Sequence, residues 1–99
     1  MIERYIGDER YITADLTNDL ATGQTITSAT WSSSDPTVAD FVDATSAVDG
    51  TGKMISAKFD YLALGQVRID IEVATTTHTE TINAYILFNV VGKPEATAA

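Results

Sequence analysis

Few residues in this chain are of types that do chemistry, and their spacing supports little of it. The 99-residue sequence holds one histidine, His78, and no cysteine. Thiolate metal sites, disulfides and cysteine nucleophiles are thereby excluded. Most acid–base schemes also lose their usual participant. His78 lies in Thr75-Thr76-Thr77-His78-Thr79-Glu80, where it would serve as a metal ligand or as a base beside Glu80. No second histidine or cysteine completes a ligand set, and the segment reads as a solvated hairpin. Ser32, Ser33 and Ser34 precede Asp35. A nucleophilic serine needs a base held by a third group and a strained elbow such as Gly-x-Ser-x-Gly, and neither is present. That run reads as a strand end and a turn. Asp35, Asp40, Asp43 and Asp49 form a carboxylate-rich stretch. Calcium takes roughly six to eight oxygens, but the spacing is not that of an EF-hand loop. Solvated charge that aids solubility is the plainer reading. Glu3 beside Arg4, and Asp8 and Glu9 beside Arg10, are no catalytic pairs, because adjacent strand residues point to opposite faces. The expectation is a protein without catalytic residues, cofactor or metal.

Charge and hydropathy narrow the partners. Lys and Arg total 6 against 14 Asp and Glu, a net charge of −8. Such a surface repels phosphate, so no nucleic-acid partner is expected. No apolar run approaches the roughly 20 residues of a membrane helix, and the longest, Ala84 to Val91, is interrupted by Asn89. The first ten residues lack the basic start and continuous apolar run of a secretory signal, which points to synthesis in the cytosol without membrane association. With 44% hydrophobic and 20% charged residues the chain suits one globular domain rather than a disordered segment. That domain is expected over residues 1–92, followed by a flexible tail, 93–99, in which Pro94 cannot donate to a ladder.

Strands are the elements that position these residues. Threonine, isoleucine and valine are frequent, and they fit a pleated surface. Residues 66–75 alternate most cleanly: Val67, Ile69, Ile71 and Val73 face one way, Arg68, Asp70 and Glu72 the other. Ile12, Ala14 and Leu16 share a face, as do Ile55, Ala57 and Phe59. Thr27, Ala29 and Trp31 would put the only tryptophan inward. A short strand spans 38–42, a long one runs from about 79 to 91, and Ile2 to Ile6 could add an edge. Asn18-Asp19, Thr22-Gly23, Ser34-Asp35-Pro36, Asp49-Gly50-Thr51-Gly52 and Gly65 supply the breaks. Helical period is scarce, with at most one turn over Asp60 to Leu64. About seven short strands without helices predict an all-β, immunoglobulin-like two-sheet sandwich. Its expected core is Trp31, Phe41, Phe59, Ile69, Ile71 and Phe88.

One motif adds a family. Ala29-Thr30-Trp31-Ser32-Ser33-Ser34-Asp35-Pro36-Thr37-Val38-Ala39 resembles the tryptophan–serine–aspartate–proline signature of bacterial immunoglobulin-like domains of the second group. Lys53-Met54-Ile55-Ser56-Ala57 and Leu64-Gly65-Gln66-Val67-Arg68-Ile69 resemble two further strands of that family. The family has a glycine where Lys53 or Met54 sits, the stretch from Asp43 to Gly52 is longer here, and Phe59 to Leu64 is bulkier. The resemblance implies a core tryptophan and a scaffold used in adhesins, surface enzymes and bacteriophage virion proteins. A small, acidic, threonine-rich and cysteine-free chain is similar to virion accessory proteins: capsid decoration or cement, head fibre or tail components. The implied setting is the virion, and the implied partners are other virion proteins and further copies of the chain. The alternative is a carbohydrate- or cell-surface-binding module of an adhesin.

The last predicted strand offers the contact surface. Its inward set is Ile82, Ala84, Ile86, Phe88 and Val90; its outward set is Thr81, Asn83, Tyr85, Leu87, Asn89 and Val91. Tyr85, Leu87 and Val91 are too apolar for a plain solvent face. Either the strand is covered on both sides within the domain or its outer face meets another chain. Tyr5, Ile6 and Tyr11 would extend that surface.

Overall fold

The computed structural model describes residues 1–43, 52–76, 80–96 and 98, apart from the side chain of Asp43. His78 and Asp49, weighed above as ligands, lie outside the described residues. Among the described residues there are seven strands: β1 (Ile2–Tyr5), β2 (Glu9–Asp15), β3 (Ile26–Ser33), β4 (Ala39–Asp43), β5 (Met54–Tyr61), β6 (Gly65–Thr75) and β7 (Thr81–Val91). The one helical element among the described residues is a single 3-10 turn, Thr17–Asp19. One sheet has the order β1-β7-β6-β3 and the other β2-β5-β4. This division of strands between the two sheets is the immunoglobulin-like arrangement, with β1 added to the larger sheet parallel to β7.

The core sits between the sheets because strand alternation aims every second side chain at it. On β6, Val67, Ile69, Ile71, Val73 and Thr75 are buried. On β5, Ile55, Ala57, Phe59 and Tyr61 are buried. Trp31 meets Phe59 edge-on at 6.2 Å, and Tyr61 meets Phe88 at 6.0 Å. The indole Nε1 of Trp31 and the hydroxyl of Tyr61 are buried with no hydrogen-bond partner among the described residues. Burial pushes the Tyr61 hydroxyl pKa up, and the nearby Arg4 guanidinium opposes that rise. Arg4 itself lies over the Phe88 ring, 5.2 Å from its centroid.

Three expectations are corrected. Phe41 is no core residue: it sits on edge strand β4, 41% exposed, with only its ring set against Phe59 at 5.7 Å. Thr27 does not share the face of Trp31, because a bulge between Ile26 and Ser28 shifts the register and gives the inward place to Ile26. In keeping with at most one turn there, Asp60 to Leu64 is not helical; β5 runs on through Tyr61, which becomes one of the largest fully buried side chains. Ile6 packs against the core rather than extending an outer surface.

The Trp31 motif now has a mechanical account. Ser33 Oγ accepts from the Asp35 amide (3.2 Å), and Ser34 Oγ accepts from the Arg68 amide (2.9 Å). Asp35 Oδ1 accepts from the Thr37 amide (3.1 Å) and hydroxyl (2.6 Å), an Asx turn that carries the chain from one sheet to the other. Thr17 makes the same pair of bonds to Asp15 Oδ1 at the end of β2. Ser33, Ser34 and Asp35 are thus the strand end and turn that the sequence predicts. Beyond Val91 no regular structure is assigned through residue 96, and the Lys93 side chain lies over Gly7.

Candidate functional site

Two surfaces carry the residues singled out above, and they lie on opposite sides of the sandwich. Tyr11 is 47% exposed on β2, on the outer face of the three-stranded sheet, with the Lys58 ammonium 5.6 Å from its ring centroid. It therefore cannot extend a surface built on β7, which corrects its place in the expected interface. Next to it Glu9 pairs with Lys58 at 2.7 Å and stands opposite Asp60, which in turn stands opposite Asp40. The Lys58 bond, helped by a bond to Asp60, lowers the Glu9 pKa. Desolvation, then the bond and charge of Glu9, raise that of Asp60. Among the described residues no group of three or more His, Asp and Glu is placed to hold a metal ion.

The other surface is the outer face of β1-β7-β6-β3. Tyr85 is 63% and Leu87 41% exposed there, while Tyr5 and Val91, neighbours across β1 and β7, are half-buried. Tyr5, Tyr85, Leu87 and Val91 thus share one face, and Tyr11 does not. Across the same face the register builds two polar rows. Ser32, Asp70 and Tyr85 form one; Thr30, Glu72 and Asn83 form the next. The Arg68 guanidinium pairs with Asp70 at 3.0 Å. Thr30, Ser32, Arg68, Asp70, Glu72 and Asn83 line a shallow depression of about 330 Å³. Strand alternation placed Arg68, Asp70 and Glu72 outward, but only the pairing of β3 with β6 brings Thr30 and Ser32 beside them. That pairing has no local signal in the sequence.

Comparison with family models, with curated proteins and with solved structures finds no match for this chain.

Proposed function

We propose that the chain is a non-enzymatic interaction module, an accessory protein of a bacteriophage particle that oligomerises and docks on other virion proteins. The observation that carries the reading is the outer face of β7, where Tyr85 and Leu87 stand exposed beside Tyr5 and Val91. Aromatic and apolar side chains of this kind anchor protein–protein contacts when a partner desolvates them. The resemblance of the Trp31 motif to bacterial immunoglobulin-like domains supports the virion setting.

Co-expression with the particle's structural genes, followed by density-gradient banding, tests this. The chain is expected to band with particles. Leu87→Glu and Tyr85→Glu, which bury no new charge in the monomer, are expected to stay at the top of the gradient with unchanged circular dichroism. Variants that band normally, or a wild type that never does, would sink the reading.

A second reading, a carbohydrate-binding module, is favoured by the depression. Its volume lies at the low end for ligand sites, roughly 300 Å³ and up, and hydroxyl, amide and charged side chains line it beside Ile71 and Ala84. Tyr85, opposite Asp70, would supply a flat apolar flank. Glycan-array binding that is lost in Asn83→Ala and Glu72→Gln would favour it. An array without signal would remove it.

A further inference from the structure

The pairing of β7 leaves part of its own backbone without a partner. On one side it pairs with β6 from Thr81 to Val90. On the other, β1 covers only Phe88 to Val91. Among the described residues nothing pairs with that second edge from Thr81 to Leu87. An open edge of this length is a template for another strand, and proteins guard such edges with charge, proline, bulges or brevity. None of these guards is present. The sequence Thr81-Ile82-Asn83-Ala84-Tyr85-Ile86-Leu87 has no charged residue and no proline, and its pairing with β6 is free of bulges. The inward side chains Ile82, Ala84 and Ile86 are only half-buried, although they pack against the core.

The other sheet edges differ. β2 carries Glu9, Arg10 and Asp15, and β4 carries Asp40 and Asp43. The edge of β3 is uncharged, but it is bulged at Ile26–Ser28, and its outward residues Ser28, Thr30 and Ser32 offer no apolar area.

We infer that the open edge of β7 is a self-association strand, occupied by the same strand of a second copy running antiparallel. The occupant follows from self-complementarity. In a continuous sheet, inward residues must face inward residues. A two-fold axis through Ala84 achieves that: Ile82 meets the partner's Ile86, Asn83 meets Tyr85, and Ala84 meets its own counterpart. Apolar faces apolar on the inner side, amide faces phenol on the outer, and no like charges oppose. The contact is isologous and closes at two copies. The net charge of −8 on each copy opposes association, but repulsion between charges more than about 10 Å apart is largely screened at 0.1 M salt. This rests on the oligomeric part of the reading above and is independent of the particle. A chain that self-pairs but never bands with virions would end only the virion assignment.

The absence of cysteine makes the test clean. Residues facing each other across an antiparallel pair have Cα atoms roughly 4.5–5.5 Å apart, inside the range of about 4.4–6.8 Å that a disulfide spans. Under mild oxidation, Ala84→Cys is expected to convert most of the chain to a covalent dimer. Ala29→Cys on the β3 edge is expected to remain largely monomeric. Separately, the cysteine-free wild type is expected to sediment as a dimer, and Ala84→Lys, which guards the edge, as a folded monomer. A wild-type monomer, or cross-linking at position 29 in place of 84, would overturn the inference. Where Ala84→Lys does not fold, Asn83→Lys places the same guard on the outer face.

Discussion

Phe59→Ala is expected to lower the stability of this domain by about 3–5 kcal/mol, the usual cost of emptying a buried phenylalanine site. Phe59 is fully buried on β5, the central strand of the smaller sheet, and its ring is the hub between Trp31 and Phe41. Truncation leaves a void between the sheets and removes two edge-on ring contacts, each worth about 0.5–1.5 kcal/mol. Domains of this size have about 5–15 kcal/mol in total. At about 4–8 °C per kcal/mol the melting temperature should fall by roughly 12–40 °C. Phe41→Ala is expected to cost only about 1 kcal/mol, since its ring is 41% exposed and rests on Phe59 by one edge. Urea titration of both variants gives the comparison. Equal losses would mean that Phe41 is as much a core residue as Phe59.

That contrast marks how far the sequence could be read. Period-2 alternation located the faces of β5, β6 and β7, because each is a long strand with one buried side. It failed at Phe41 for a topological reason. The residue has the inward parity, but β4 is an edge strand, and parity does not say how far the opposite sheet reaches. Thr27 failed for a local one, since a bulge shifts parity by one residue and no motif announced it. Tyr61 lies outside the expected core because the alternation of Ile55, Ala57 and Phe59 is read only to Phe59, whereas β5 continues through Tyr61. Tyr11 was grouped with Tyr85 on nearness to the N-terminus, whereas the chain crosses between sheets after β1. The β7 surface was legible as an outward apolar set. The open edge was not, because it depends on where the parallel β1 stops.

Gly52→Ala is expected to cost about 2–5 kcal/mol, and the reasons separate cleanly. Gly52 has φ +72°, where an alanine pays about 1–2 kcal/mol. A Cβ there would also fall 2.7 Å from Thr25 Cβ and 2.9 Å from its Cγ2, and relieving such overpacking costs about 1–3 kcal/mol. Neither neighbour can move freely. The Gly52 carbonyl accepts from the Ile26 amide at 2.8 Å, and the Lys53 carbonyl accepts from the Leu16 amide at 2.9 Å. The glycine therefore fixes how the entry to β5 meets both the start of β3 and the end of β2. Gly23, with φ +83° and nothing within 4 Å of a built Cβ, provides the control. Gly23→Ala should cost only the conformational part, about 1–2 kcal/mol. Thr25→Gly combined with Gly52→Ala should recover the steric part, giving a favourable coupling within the roughly 0.5–3 kcal/mol range for residues in contact. Chemical denaturation of the four chains reads this cycle. If the two substitutions are additive, the backbone angle alone explains the cost and the close approach to Thr25 contributes nothing.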